Sequence, residues 1–413
     1  MSDLHAYGPP DGRGPLEKRE ARLAWGLLFP TIAIVSAVVI LPLLAIFWIS
    51  FKPIGLADLR PPAPVAREAL RGSGDDLRIE YRVRNSSQSE VIRAVGLEDI
   101  LPAGVDVRET DERCSITGRA ILCDLGDLEG GQRERVSIFV SVAGDEEAAE
   151  EAVEGTEPIM SGKGRNILTN SEFTLENFAR VFDGDEFWSV LGVTLFYTIV
   201  GTIGALVFGL FAAMLLNKEF RGQGILRGLY LFPYVAPVIA VAFAWVILFD
   251  PFSGSANALL VQMGVTESTI NFFGEKPLAL IMVTVFEIWR YFPLSFLFIL
   301  ARMQSIDTDM YEAADMDGAS PFQKFWYLSL PQLLGILSVL FLLRFIWTFN
   351  KFDDIFLLTG GNAGTRTLTV NVYEQAFAVS NIGAGAAVSV VIFCCLLLFS
   401  FFFFRTMSQE EGL

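Results

Sequence analysis

The chain has 413 residues, of which 52% are hydrophobic and 36 are Phe, and its formal net charge is −16. Apolar residues at this level, gathered in long runs, indicate a membrane protein. A single His and the lack of a GxxxxGK[ST] phosphate-binding loop argue against a His-based catalytic centre, a zinc site and ATP binding of that type. We therefore expect no catalytic residues, no metal and no cofactor bound by this chain.

Six apolar segments are each long enough to cross a bilayer, which takes about 20 residues. They cover residues 25–51, 187–216, 226–249, 277–303, 332–357 and 382–405. The residues before the first segment are too polar for a signal peptide, so we expect that segment to remain as a span. The sequence thus predicts an all-α transmembrane bundle with six core spans.

The basic residues predict the orientation of these spans. With six spans, the basic residues near the span ends all fall on one side, and the positive-inside rule makes that side the cytoplasm. They are Arg13, Lys18, Arg19, Arg22, Lys218, Arg221, Arg227, Arg302, Lys324 and Arg405. Cytoplasmic tails at 1–24 and 407–413 and an outward-facing insertion at 53–165 follow from this topology.

The insertion carries most of the negative charge, since residues 53–186 contain 28 Asp or Glu and 15 Lys or Arg. Its acidity belongs to one segment and is no sign of a basic partner. Apolar and polar residues alternate at period two in "LRIEYRVRN" and "RVSIFVSV", which predicts a small all-β domain at about 74–143. The acidic stretch that follows, 144–165, is predicted to be a flexible linker.

Four cysteines form two pairs in the sequence. The segment "CSITGRAILC" is typical of a hairpin that turns at Gly118-Arg119, which places Cys114 opposite Cys123. Because an outward-facing compartment is oxidising, we predict a disulfide there; the alternative is two reduced core residues. The other pair, Cys394 and Cys395, is expected to face lipid or pack between helices.

A polar segment at 304–331 lies between the fourth and fifth spans. Asp307 or Thr308 can cap a first short helix, and Gly318 can end it in a left-handed conformation. Ser320 followed by Pro321 and Gln323 predicts a capping box that starts a second helix. From these residues alone, the segment is either a docking surface or an ordered loop that packs on its own protein.

The same segment resembles the EAA loop of ABC-importer permeases. The resemblance rests on Glu312-Ala313-Ala314, Asp317-Gly318-Ala319, Phe325 and Leu330-Pro331. It implies a coupling helix that docks on an ATPase subunit, with Glu312, Ala313, Ala314, Asp317, Gly318 and Ala319 as coupling positions.

Further stretches resemble the carbohydrate-uptake permeases of the maltose and α-glucoside type. These are "FTLENFARVF", "LYLFPYVAPVIA" and "LLTGGNAGTRTLTVNVYEQAFAVSNIGAGAAVSVVIF". The resemblance implies a type I permease core over 166–406. In the insertion, "DILPAGVDV" and "CDLGDLEGGQRERVSI" resemble Ig-like repeat domains of bacterial surface proteins, which implies an Ig-like sandwich.

This family resemblance also implies the partners and the location. A non-catalytic permease of this kind works with a second homologous permease, with two ATP-binding subunits that hold ATP and Mg, and with a periplasmic or lipid-anchored solute-binding protein. It moves a carbohydrate across the bacterial inner membrane, contacts lipid and binds no nucleic acid.

Polar residues within the spans are candidates for the substrate site, because intramembrane ionisable groups usually face the bundle interior. Arg344, Trp347, Thr348 and Lys351 share one helix face, as do Glu287, Arg290, Tyr291 and Leu294. By resemblance to the carbohydrate permeases, the sugar site is lined by Tyr291, Leu294, Arg344, Trp347 and Thr348. The alternative is structural: Glu287 or Asp354 pairs with Arg290, Arg344 or Lys351 to hold helices together.

Two rival functions remain at this level. One is an importer of another small solute, such as a polyamine, phosphate or glycerol phosphate. The intramembrane Arg290, Arg344 and Lys351 also leave an anionic sugar derivative open. A membrane-anchored receptor that displays the β-domain belongs to another class, but it requires neither six spans nor a coupling loop. The β-domain itself can dock a solute-binding protein, brace the partner permease or act as a spacer.

Overall fold

The computed structural model describes residues 15–88, 90–142, 146–183 and 185–410. Most of the predicted N-terminal tail, residues 1–14, lies outside the described residues, as do 411–413 of the predicted C-terminal tail. Within the described part, the first helix already begins at Pro15 and the last ends at Glu410. The span-forming helices therefore extend into both predicted tails.

The helices are numbered here in chain order. They are α1 Pro15–Val35, α2 Leu41–Ser50, α3 Glu146–Glu154, α4 Glu176–Phe182, α5 Asp185–Leu216, α6 Gln223–Val235, α7 Val238–Leu248, α8 Ser255–Gln262, α9 Leu278–Gln304, α10 Thr308–Met316, α11 Pro321–Lys324, α12 Leu330–Phe349, α13 Asp353–Thr359, α14 Leu368–Tyr373 and α15 Ile382–Glu410. Short π-helical segments join α1 to α2 and α11 to α12, so each of these pairs forms one long helix.

Five helical stretches in the described residues are long and apolar enough to cross a membrane. They are Arg19–Ser50, Glu186–Leu216, Leu278–Gln304, Pro321–Phe349 and Ile382–Thr406. A sixth span exists only if α6 and α7 are counted together, and these two helices meet at an angle of 90°. The predicted span over 226–249 thus corresponds to a pair of helices with a break between them, at Ala236-Pro237. Ala236 is extended because Pro237 disfavours the helical conformation in the residue before it.

The predicted fifth span, 332–357, is wrong at its far end. Its helix α12 ends at Phe349, and a separate helix α13 begins at Asp353. The break falls in a polar stretch, where Asn350 leaves the helical conformation. Asp353 and Asp354 then occupy the first turn of α13, where carboxylates interact favourably with the helix dipole.

Helices α5 and α9 form the centre of the bundle, and glycines allow them to approach closely. A Cβ added at Gly209 would lie 2.7 Å from the Ser295 Cβ and 2.8 Å from the Phe296 main-chain nitrogen. A Cβ at Gly204 would lie 2.4 Å from the Ile288 Cδ1. Small residues at such contacts are typical of membrane helix pairs. This packing holds the polar face of α9 against its neighbours.

The insertion folds into two four-stranded antiparallel sheets with one shared hydrophobic core. The strands are β1 Pro64–Arg71, β2 Arg78–Asn85, β3 Ile92–Ile100, β4 Val105–Glu109, β5 Cys114–Thr117, β6 Ala120–Leu128, β7 Arg133–Val142 and β8 Ile159–Gly164. One sheet has the order β1-β2-β7-β4 and the other β5-β6-β3-β8. The β-domain is thus larger than the predicted 74–143.

The prediction of a flexible linker at 144–165 is wrong over its described residues. Helix α3 buries Ala149 and Val153 in the core of the β-domain, and strand β8 pairs with β3. Two apolar residues four positions apart lie on one helix face, which is enough to dock a short acidic helix. The many acidic residues of α3 led to the prediction of a linker, although these two apolar residues are spaced as in a helix.

The hairpin formed by β5 and β6 has the expected register. Cys114 pairs with Cys123, and the two form a disulfide. The turn contains Gly118 with φ of +67°, a conformation that glycine adopts without strain. Cys394 and Cys395 are free, and the first of them is exposed on α15.

The root of the β-domain is attached to the helical part on both sides of the insertion. The Asn177 side-chain amide donates to the main-chain oxygens of Ser50 and Lys52, at 2.9 and 2.8 Å. The backbone beyond α2 also bonds to the start of α15, since Gly383 N donates to Ile54 O and Leu56 N donates to Ser380 O. The β-domain is therefore joined to the bundle by ordered contacts.

Candidate functional site

A small pocket lies where the polar faces of α9 and α12 meet. Its volume is about 140 Å³, and it is lined by Tyr234, Glu287, Tyr291, Leu294, Arg344, Trp347, Thr348 and Lys351. All five residues expected at a sugar site from the sequence lie in this lining. The structure also adds Tyr234, Glu287 and Lys351, which were not in that set.

Glu287 is the central polar group of the pocket, and its side chain is fully buried. One carboxylate oxygen accepts a hydrogen bond of 2.5 Å from the Arg344 guanidinium and one of 2.9 Å from the Thr348 hydroxyl. The other accepts a bond of 3.0 Å from the Tyr197 hydroxyl on α5. A buried charge requires such partners. The structural alternative considered from the sequence therefore exists here, as a Glu287–Arg344 pair within the pocket wall.

The Tyr291 ring forms a second centre of contacts. The Arg344 guanidinium lies 4.5 Å from the ring centroid and the Lys351 ammonium lies 4.6 Å from it, both suited to cation–π interaction. Lys351 also donates a hydrogen bond to the Tyr291 hydroxyl. Its ammonium pairs with Asp353 at 3.2 Å and with Asp354 at 3.7 Å. Both cations in the pocket lining are thus held by groups of the chain itself.

Arg290 does not line the pocket, although the next residue, Tyr291, does. Its guanidinium donates to the main-chain oxygens of Pro233 and Ala236, at 3.1 and 3.0 Å. Pro233 lies in the last turn of α6 and Ala236 directly follows that helix, where carbonyls have no partner within the helix. Arg290 therefore stabilises the break between α6 and α7.

Tyr234 was not among the site residues expected from the sequence. Its ring centroid lies 6.1 Å from that of Tyr291, and its side chain is 39% exposed. The signal was present in "LYLFPYVAPVIA", whose two prolines favour a break next to Tyr234. Trp347 is also exposed, by 52%, so two aromatic side chains border the open part of the pocket.

The second candidate site is the segment between α9 and α12. Asp307 caps α10 by accepting from Asp309 N at 3.0 Å. Ser320 and Gln323 form the predicted capping box at the start of α11. Gly318 has φ of +73°, as expected for the turn between the two helices. The caps and the turn are therefore confirmed, but the second helix is not a separate short one, because α11 continues through the π-helical segment Phe325–Ser329 into α12.

The six expected coupling residues lie together around this turn. Glu312, Ala313, Asp317 and Gly318 are exposed, whereas Ala314 and Ala319 are half-buried. The segment is braced by an ion pair of 2.6 Å between Lys324 and Asp315.

Large apolar side chains also project from the segment. Met316 is 90% exposed, Tyr327 is 77% exposed and Phe322 is 71% exposed. Exposed apolar groups concentrated in one place mark interaction sites.

Comparison with known proteins gives a consistent assignment for the helical part. Residues 205–409 match the family model described as "Binding-protein-dependent transport system inner membrane component". The chain is 38% identical over 220 residues to the inner membrane ABC transporter permease protein YcjO of Escherichia coli (strain K12), covering 53% of this chain and 74% of that protein. It is 34% identical over 220 residues to the trehalose/maltose transport system permease protein MalF of Thermococcus litoralis, with the same coverage.

Two further comparisons concern another substrate class and the fold. The chain is 33% identical over 229 residues to the sn-glycerol-3-phosphate transport system permease protein UgpA of Yersinia pestis, covering 54% of this chain and 76% of that protein. A chain of a crystal structure of a bacterial ABC transporter involved in alginate import superposes with a TM-score of 0.54 at 18% identity, over 59% of this chain and 85% of that one. That likeness shows the fold of the helical part.

Proposed function

Since the chain belongs to the family of binding-protein-dependent transport system inner membrane components, we propose that it is the permease subunit of an ATP-driven importer for a carbohydrate. The observation that carries this proposal is the pocket between α9 and α12. It combines aromatic rings with hydrogen-bonding groups, which suit the apolar face and polar edges of a sugar ring. Tyr291, Leu294, Arg344, Trp347 and Thr348 are the proposed substrate contacts.

A second homologous permease is proposed to complete the site. A volume of about 140 Å³ is smaller than the roughly 300 Å³ at which ligand pockets begin. Tyr234 and Trp347 remain exposed beside it, so a partner chain that packs on this side would enclose more of the substrate. The paired permeases would alternate between access from the two sides of the membrane.

The segment between α9 and α12 is proposed to transmit force from two ATP-binding subunits. Its exposed Met316 and Phe322 give an apolar contact, and Glu312 adds a charge beside it. The helix caps make the segment rigid, so movement of a docked partner would be passed to α9 and α12 without being absorbed by the loop. This role requires the segment to face the cytoplasm, as the basic residues predict.

The substrate is proposed to be a maltose-like or α-glucoside-like sugar delivered by a solute-binding protein. A relative named for trehalose and maltose transport supports this, while a relative named for glycerol phosphate represents the rival substrate.

The β-domain is proposed to be an Ig-like sandwich on the outer side of the membrane. Two four-stranded sheets around one core support that fold, and the disulfide between Cys114 and Cys123 suits an oxidising compartment. We propose that it contributes to docking of the solute-binding protein.

The test is ATP hydrolysis by the assembled complex, purified through this chain into nanodiscs with its cognate binding protein. Wild type is expected to hydrolyse ATP faster when a transported sugar is added, and Glu312→Lys is expected to lose this stimulation. Glu219→Lys is the matched control, because it makes the same charge change at an exposed residue between α5 and α6. All subunits must be present in equal amounts in the three preparations.

Two results would contradict the proposal. Failure of any ATPase to copurify with wild type under several mild extractions would argue against the importer. Equal stimulation in Glu312→Lys and wild type would remove the coupling role from the segment, while stimulation by the added sugar would still support the carbohydrate function.

A further inference from the structure

The charged side chains around the pocket balance one another. Three are basic, Arg290, Arg344 and Lys351, and three are acidic, Glu287, Asp353 and Asp354. Of these six, Glu287, Arg344 and Lys351 belong to the pocket lining itself. Arg344 pairs with Glu287 at 2.5 Å, and Lys351 pairs with both aspartates. Arg290 is turned toward two main-chain oxygens of α6. The basic residues that suggested an anionic substrate from the sequence are therefore already engaged by the chain.

Arg344 and Lys351 both lie in the pocket lining and against the Tyr291 ring, but only Arg344 has its acidic partner, Glu287, in the same lining. A phosphate or carboxylate that approached Arg344 would come close to the Glu287 carboxylate. Like charges at short range repel strongly where water is scarce. Glu287 cannot easily move aside, because it is fully buried and also holds Thr348 and Tyr197.

The position of Glu287 is also fixed by packing. A Cβ added at Gly201 on α5 would lie 3.0 Å from the Glu287 Cγ, so the two helices enclose this side chain tightly. Breaking the pair would leave a buried charge without a partner, which is strongly unfavourable. The Glu287–Arg344 pair is thus a built-in neutral element of the pocket wall.

We propose that Glu287 determines substrate specificity, by neutralising Arg344 and thereby reserving the pocket for uncharged sugars over phosphorylated or carboxylated ones. The inference rests on the proposed function and names its substrate class. Glu287 is a positioning residue in this role, because it acts on the substrate through Arg344. Arg344 remains able to donate from its remaining N–H groups to sugar hydroxyls.

The experiment is equilibrium binding to the complete transporter in nanodiscs, without the binding protein, so that the pocket alone is measured. The probes are trehalose, maltose, trehalose 6-phosphate and glycerol 3-phosphate. The chains compared are wild type, Glu287→Gln, Glu287→Asp and the double variant Glu287→Gln/Arg344→Gln. The readout is the ratio of affinities for trehalose and trehalose 6-phosphate in one preparation, which a general loss of folded protein does not change.

Wild type is expected to prefer trehalose. Glu287→Gln is expected to shift the ratio toward trehalose 6-phosphate by about tenfold or more, the size of one hydrogen bond to a charged group. Glu287→Asp should keep the wild-type preference because the carboxylate is retained. The double variant should lose the shift, since it has no free guanidinium.

Several outcomes would overturn the inference. The inference is wrong if wild type binds trehalose 6-phosphate as tightly as trehalose, and this result does not depend on whether Glu287→Gln assembles. It is also wrong if an assembled Glu287→Gln complex has the same ratio of affinities for trehalose and trehalose 6-phosphate as wild type. Binding of none of the four probes would instead overturn the carbohydrate function on which the inference depends.

Discussion

The ammonium group of Lys52 donates a hydrogen bond of 2.5 Å to the main-chain oxygen of Asn170, so the two ends of the β-domain insertion meet at one buried cation. Lys52 also donates to the Asn170 side chain at 2.9 Å and to the Glu172 main-chain oxygen at 2.8 Å. Its ammonium lies 4.2 Å from the centroid of the Phe173 ring. One lysine therefore fixes where the chain leaves the bundle and where it returns.

Replacing this lysine should loosen the return segment. Lys52→Met keeps the length of the side chain but removes the donor from two buried acceptors and one part-buried acceptor, at an expected cost of about 3 kcal/mol. Hydrogen exchange of the amides at 166–176 should become faster, by the factor that this loss of free energy implies for local opening. Lys163→Met, at an exposed position on β8, is the control and should exchange like wild type. Equal exchange in the two variants would contradict the anchoring role.

Tight packing of α5 on α9 predicts a different cost at two glycines of the same helix. Gly209→Ala places a methyl group against the α9 backbone and should destabilise the chain by about 1–3 kcal/mol through overpacking. Gly192→Ala has no atom within 4 Å of the added carbon and should be neutral or slightly stabilising, as alanine favours helix. Thermal unfolding in detergent measures both. A Gly209→Ala chain as stable as Gly192→Ala would show that the helices separate without cost.

Arg290 gives a prediction that separates a structural cation from a substrate-binding one. Arg290→Met leaves the Pro233 and Ala236 oxygens unbonded and should lower the stability of the bent pair by about 2–3 kcal/mol. Arg290→Lys should lose less, because one ammonium can still reach a carbonyl. Thermal unfolding is measured together with the sugar concentration that half-saturates ATPase stimulation. A changed half-saturation with unchanged stability would assign Arg290 to the substrate instead.

The stability of the β-domain should depend on pH through Glu68. Burial is the main cause that raises the pKa of this carboxyl from 4.5 to about 8; the hydrogen bond from Thr156 opposes the rise and the nearby charge of Asp99 adds to it. The folded domain therefore binds the proton more tightly than the unfolded chain does. The contribution is complete below pH about 4.5 and is lost as the pH rises through about 8.

This pH dependence can be measured by hydrogen exchange over α3 and β1, corrected for the intrinsic effect of pH. Wild type should open more readily at pH 8 than at pH 5, whereas Glu68→Gln should show a flatter profile. Glu98→Gln, at an exposed position on β3, is the control and should follow wild type. A Glu68→Gln profile as steep as that of wild type would place the titrating group elsewhere.

Local signals in the sequence were sufficient for the segment between α9 and α12. Its caps depend on residues three positions apart, Ser320 and Gln323, and its turn depends on Gly318 alone. The hairpin register of Cys114 and Cys123 was likewise fixed by a short turn. Such features need no knowledge of distant contacts, so they could be predicted.

Other features depend on contacts that a sequence does not contain. Helical spacing placed Arg344 and Thr348 on one face, but only the distance between α9 and α12 decides that both meet Glu287. The bend after α6 is stabilised by Arg290, 54 residues away from Ala236. Helix α3 was missed because its charge outweighed two apolar residues that find their partners in the β-domain core.

The hydrogen bonds between the 54–56 backbone and the start of α15 have a mechanical consequence. Because the first helix of the bundle and the last are tied together at the root of the β-domain, a tilt of α15 is carried into the whole insertion. A rigid arm converts a small rotation at its pivot into a larger sweep at its tip, in proportion to its length. A tilt of α15 would thus displace the far edge of the two sheets more than it displaces the contacts at their root.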